Sequence, residues 1–226
     1  MPTLIGLYLF LLGLACGITL LTITAYRQVS PQWLKWLLMA TGAFVLTRYL
    51  TMAIFTSALA AQFAWGLRYC WFATSIGLTL PSVIAIDQLL RHPAMSPQKL
   101  LRMFAPFAAV YTLIILIGPM APRPDPVAGW MVQLVTPWQW ILSAVQAMFV
   151  IGFITICLML MRKIPSKPIR RALLGLALAH AYLGFDGVML ALGRWYFRPF
   201  LFSEIFALLA IWYAYDTSAQ LQRSTS

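Results

Sequence analysis

The feature that leaves this chain the fewest possible folds is a run of seven apolar stretches, each long enough for a helix to cross a bilayer. They are Thr3–Tyr26, Trp33–Ser57, Phe63–Leu90, Leu100–Gly118, Thr136–Met161, Ile169–Leu192 and Pro199–Tyr215. A membrane-crossing helix needs roughly 20 mostly apolar residues. Charged side chains make up 9% of the 226 residues and apolar ones 62%, far from the balance of a soluble domain. In hydrocarbon every backbone polar group must be satisfied within the protein. The expected architecture is therefore all-α: one polytopic seven-transmembrane-helix bundle over residues 1–226, with no room for a soluble domain between its segments.

The net charge of +11 follows segment ends and does not form one patch. Arg27, Lys35, Arg91, Lys99, Arg102, Arg162, Lys163, Lys167, Arg170, Arg171 and Arg223 flank one set of ends; Arg123, Arg194 and Arg198 flank the other. Basic residues collect on the cytoplasmic side, so the N terminus is expected outside and the C terminus in the cytoplasm of a bacterial inner membrane. The partners this favours are membrane lipids, whose anionic headgroups attract juxtamembrane cations, rather than nucleic acid. Cys16, Cys70 and Cys157 lie in separate segments with no CxxC, which suggests neither disulfides nor zinc. The first segment lacks a basic leader region and reads as a retained helix.

Depth singles out the informative residues. Arg48 lies about 12 Å inside its segment and Asp186 about 10 Å inside its own, at roughly 1.5 Å per residue. Ionisable groups that deep usually face the bundle or a polar cavity. Gln139, Ser143 and Gln146 fall on one helical stripe, and Gly175, Ala179, Tyr182, Asp186 and Met189 on another. Glu204 opens the seventh segment, and Arg68 stands among Trp65, Tyr69 and Trp71. The candidate ligand-binding set is Arg48, Arg68, Gln139, Ser143, Gln146, Tyr182, Asp186 and Glu204, all in the outer half of five helices. Two cations and two anions balance there, which suits a buried network. Two readings stay open: a ligand pocket facing outward, or a static polar clamp that holds the fold. His180 lies off the stripe and reads as a hydrogen-bonded core residue. Asp87 and Arg91, four apart, read as a surface pair. Pro81 is expected to kink its helix, and Pro106 to sit near the entry of the next. The proline-rich connection Pro119–Val135 reads either as a partly ordered cap or as a stiff connector.

Several functions are disfavoured. The four lysines all sit at cytoplasmic flanks, so a retinal-type Schiff base has no attachment point. Haem between paired histidines would need more than His180. No hydrolase or metal motif occurs, and the expectation is a non-enzymatic protein without cofactor. No internal repeat of the transporter kind is evident.

The order Trp65, Arg68-Tyr69, a span holding Leu80-Pro81, a basic turn and a helix with Pro106 resembles the seven-helix sensory region at the N terminus of some bacterial histidine kinases and diguanylate cyclases. The resemblance extends over most of the chain in topology and over Trp65 to Ile117 in residue pattern. It implies a bundle that senses an external or membrane-borne cue and passes it to a cytoplasmic domain. Only about ten residues follow Tyr215, so that domain is expected either in a part of the protein beyond this sequence or in a separate signalling or complex subunit. No catalytic residue is carried over. The expected function is a sensory or ligand-binding module taking a small molecule from the outer side. The alternatives are a small-solute transporter or channel, which needs a polar path through the inner half, and a structural subunit of a membrane complex.

Overall fold

The computed structural model describes residues 2–56, 66–91, 96–125, 127–192 and 200–223. Seven long helices run through them: α1 (Pro2–Tyr26), α2 (Gln32–Phe55), α3 (Ala73–Leu90), α4 (Pro97–Ile117), α5 (Trp138–Lys163), α6 (Lys167–Ala191) and α7 (Leu201–Arg223). The expected helix limits at Ser57, Phe63 and Pro199 lie outside the described residues, as do Trp65, His92, Arg194 and Arg198. Successive helices pack on one another and α7 closes back on α1. α3 also packs on α6 and α7, which takes it to the inside of the bundle.

The fold is all-α apart from one hairpin, and six helices are long and apolar enough to cross a bilayer. Helix α7 is long enough but less apolar, because it carries Ser203, Glu204, Asp216, Thr217 and Ser218. Four of these are buried, Asp216 being the exception. A helix held between α1, α3 and α6 can bury polar groups that lipid would not accept. The outward faces are apolar by contrast, with Phe10, Leu50, Met103, Leu116, Met148 and Ile151 exposed.

Local chemistry moves several helix limits. Ser96 accepts a hydrogen bond from the Lys99 amide at 3.3 Å, with Pro97 at the first helical position, so α4 starts ahead of Leu100. Pro106 consequently falls in the interior of α4, not near its entry. Helix α7 runs past Tyr215 to Arg223, and within it Asp216 accepts from the Gln220 side chain one turn on, at 2.7 Å. Asp87 and Arg91 do not form a surface salt bridge: Asp87 is buried, its carboxylate accepts from the Gln88 side chain at 3.2 Å, and Arg91 acts on it only from a distance.

Polar groups tie α3 to α7 along its length. Thr74 reaches Glu204 at 2.7 Å, Tyr215 donates to the Pro81 carbonyl at 2.9 Å, and Ser218 donates to the Gln88 carbonyl at 2.7 Å. Most other buried hydroxyls turn back on their own helix, as Thr19, Thr22 and Ser82 do on the carbonyl four residues earlier.

The connection between α4 and α5 is neither coil nor helix. It is a β-hairpin, β1 (Met120–Asp125) against β2 (Gly129–Leu134), with Pro122 opposite Val132 and Pro124 opposite Trp130. Val135 donates to the Pro119 carbonyl, so positions 119, 121, 123 and 125 face the partner strand's backbone. Pro122 and Pro124 then place their missing N–H groups on the free edge, where a strand tolerates them. Asp125 Oδ1 accepts from the Val127 and Ala128 amides at 2.9 and 2.8 Å and fixes the turn. Gly129 follows at φ 72°, and a side chain there would run into the Phe55 carbonyl. The hairpin tip therefore seats on the end of α2, while Leu134 packs with Tyr111, Ile114, Ile115 and Leu142.

Candidate functional site

The third apolar segment is not a continuous helix. A 3-10 turn, Cys70–Phe72, precedes α3. Such a turn leaves carbonyls outside the regular helical ladder. Two of them take side-chain donors: the Trp71 carbonyl accepts from Arg48, and the Phe72 carbonyl from the Tyr111 hydroxyl at 3.0 Å.

Arg48 is 5% exposed, on the inward face of α2. Its Nη2 lies 2.9 Å from Glu204 Oε1, its Nε donates to Glu204 Oε2 at 3.3 Å, and its guanidinium stands 5.3 Å from the Trp71 ring. Thr74 donates to the same carboxylate, and the buried Tyr49 lies beside it. A buried ion pair persists only where its remaining donors and lone pairs are also satisfied. Here a threonine, a backbone carbonyl and an indole face supply that.

Beside the pair lies a cavity of about 400 Å³. Its walls come from α3, α4, α5 and α6, and the hairpin covers one end through Ala128, Met131, Val132, Gln133 and Leu134. Of the eight residues expected from sequence, Arg48, Gln139, Ser143, Gln146 and Glu204 line it. Gln146 donates to the Ser75 hydroxyl at 2.5 Å, which ties α5 to α3 across the cavity wall.

The other three stand apart. Arg68 is half-buried, donating to the Tyr69 hydroxyl at 2.7 Å with its guanidinium 4.6 Å from that ring. Tyr182 is half-buried and does not line the cavity. Asp186 is buried, and its Oδ2 accepts from the Phe200 amide at 3.0 Å and the Ser203 hydroxyl at 2.6 Å. Those donors begin α7, where the helix dipole favours negative charge. Asp186 thus holds the start of α7, and through it the position of Glu204 one turn on.

Sequence reasoning passed over Thr74, Ser75 and Tyr111, and read His180 as a hydrogen-bonded core residue. Tyr111 carried a signal, since Phe104, Phe107 and Tyr111 recur at helical spacing on α4 and meet Phe149 and Phe153 of α5 in one aromatic cluster. Thr74 and Ser75 carried none, because the 3-10 turn that aims them is not visible in composition. His180 departs from expectation most. It is 1% exposed, lies against the Phe149 and Phe153 rings at 5.9 and 4.2 Å, lines the cavity, and has no hydrogen-bond partner for either ring nitrogen.

The arrangement offers hydrogen bonds and aromatic faces to a guest, while its two charges already satisfy each other. No group of three metal-ligating side chains exists among the described residues. No protein-family model, curated protein or solved structure matches the chain.

Proposed function

We propose that this protein is a seven-helix membrane module, N terminus outside and C terminus cytoplasmic, that binds a small molecule beneath an outward-facing hairpin and relays occupancy to a separate partner. The observation that carries this reading is the cavity itself. At about 400 Å³ it falls in the range of small-molecule sites, which are mostly apolar with a few placed polar groups. The polar ring of Arg48, Glu204, Ser75 and Gln146 sits at its hairpin side. Basic flanks at the ends opposite the hairpin support the orientation. The likeness to bacterial sensory seven-helix regions supports a signalling role, non-enzymatic and in an inner membrane.

A sensor needs a guest that prefers one helix arrangement over another. Gln146 and Ser75 join α5 to α3, and α3 is tied to α7, so a guest that displaces the Gln146–Ser75 bond acts on the helix ending at the cytoplasmic face. Conduction is disfavoured because the lining stops near Thr79, Phe149 and His180 and does not include Asp87 or Gln88.

The test is native mass spectrometry of the purified protein beside Ser143→Phe, which fills the cavity without touching the Arg48–Glu204 pair. A small bound mass present in the wild type and absent from the variant is the expected result. A folded wild type that is empty, and whose stability no added small molecule changes, would leave only the static clamp.

A further inference from the structure

The cavity has a side opening as well as a covered end. Helices α5 and α6 touch closely where a side chain added at Gly184 would stand 3.1 Å from Val150. Toward the hairpin, small residues of this seam line the cavity. Ala144 and Ala147 on α5 and Gly187 on α6 all line the cavity, and a side chain added at Gly187 meets nothing within 4 Å. Trp140 and Val188 line the same stretch while being 52% and 53% exposed on the apolar outer face. A path thus runs from the lipid-facing surface into the cavity.

His180 stands in the cavity wall about 10 Å before Gly187 on α6, away from the hairpin, at roughly 1.5 Å per residue. Both its nitrogens are without a partner, although its ring is almost fully buried between two phenyl groups. Buried polar atoms are normally hydrogen-bonded, and an orphan facing a cavity is a place for a ligand group. The charged pair beside the cavity is internally matched, so an incoming group meets no unpaired charge there. Size narrows the guest too. An engineered cavity of about 150 Å³ takes benzene, so one of about 400 Å³ takes a guest well beyond a single ring.

Resting on the binding reading above, we propose that the guest is an uncharged, membrane-dissolved amphiphile bearing a hydroxyl or carbonyl, which enters between α5 and α6 and hydrogen-bonds His180. Its apolar body lies along Phe107, Phe149 and Leu183. Water-soluble and charged molecules are excluded by the apolar entrance.

The experiment uses the full chain in lipid nanodiscs with three photoreactive ten-carbon probes that differ only in headgroup: a primary alcohol, a carboxylate and an amine. After irradiation, labelled peptides are mapped by mass spectrometry. The alcohol is expected to label the cavity faces of α5 and α6 in preference to both charged probes. His180→Phe, which suits the aromatic cluster, is expected to reduce that labelling about tenfold, the value of one hydrogen bond in binding. Gly187→Leu, which enters open space, is expected to slow labelling severalfold. Equal cavity labelling by all three probes means simple acyl-chain insertion and overturns the ligand class. Alcohol labelling indifferent to Gly187→Leu overturns the route, and indifference to His180→Phe overturns the anchor. Cavity labelling by none of the three overturns the binding reading itself.

Discussion

The two sides of this bundle are built differently. On one side α1, α2, α3 and α7 interlock, and 72% of an 18-residue stretch spanning most of α3 is buried. On the other, α4, α5 and α6 form the outer wall of the cavity, and only 11% of the comparable stretch of α5 is buried. The first side holds the Arg48–Glu204 pair and the Thr74, Tyr215 and Ser218 bonds; the second crosses to it through Gln146–Ser75, Tyr111–Phe72 and Asp186 with Phe200 and Ser203. A densely packed half facing a loosely filled half suits a binding module: a guest that moves α5 or α6 reaches the packed half through a few polar ties, Gln146–Ser75 to α3 and Asp186 to the start of α7.

The sharpest way to break the comparison is to strike the rigid half at its charge. Glu204→Gln strands the Arg48 guanidinium in the core and is expected to cost about 3–5 kcal/mol. Replacing both partners, Arg48→Met with Glu204→Leu, is expected to recover most of that loss. Thermal unfolding in nanodiscs reads both, and a stable single variant would show that the pair contributes nothing to the scaffold.

Glycines probe the packing next. An added Cβ at Gly77 or Gly42 runs into the side chain of Val45 or Ile23 respectively. Gly77→Ala is therefore expected to destabilise by about 1–3 kcal/mol through overpacking. Gly152 on α5 faces open space. Gly152→Ala is expected to be neutral or to stabilise by up to about 1 kcal/mol from helix propensity. Equal destabilisation at both positions, measured by denaturant unfolding, would erase the distinction between the halves.

Asp125→Ala tests the cover. It removes the acceptor for two turn amides and is expected to speed hydrogen exchange in residues 120–134, consistent with a local loss of about 1 kcal/mol per bond. The unfolding midpoint of the helices is expected to hold. A matching drop in that midpoint would mean the hairpin belongs to the scaffold.

How much of this was readable beforehand follows from the physics of each feature. Helices announce themselves through long apolar runs, so all seven were legible, and so was the depth of Arg48, which lipid would penalise without a partner. The stripe Gln139, Ser143 and Gln146 was legible because helical spacing is fixed. The hairpin was not, since Pro122 and Pro124 argue against a strand until the register shows both on its free edge. Depth grouped Asp186 with Arg48, but it gives height along a helix and not direction around the bundle, and Asp186 does not line the cavity. Asp186 accepts instead from the Phe200 amide and the Ser203 hydroxyl at the start of α7. His180 looked like an ordinary core residue because sequence cannot show whether a buried nitrogen has a partner.

The smallest expected effect tests how the rigid half is divided between packing and hydrogen bonding. Tyr215 is 3% exposed, its ring meets Tyr26 edge-on at 4.9 Å, and its hydroxyl donates to the Pro81 carbonyl. Tyr215→Phe keeps the ring and removes only that bond. Hydrogen bonds between membrane helices average about 0.6 kcal/mol, because the separated helices find other partners. A loss near that value on unfolding of Tyr215→Phe would mean that ring packing dominates the α3–α7 seam. A loss several times larger would mean that the carbonyl at Pro81, inside a helix already lacking one amide donor, depends on Tyr215. The hydroxyl would then be a structural part of the scaffold, and the seam between α3 and α7 would be polar rather than apolar in origin.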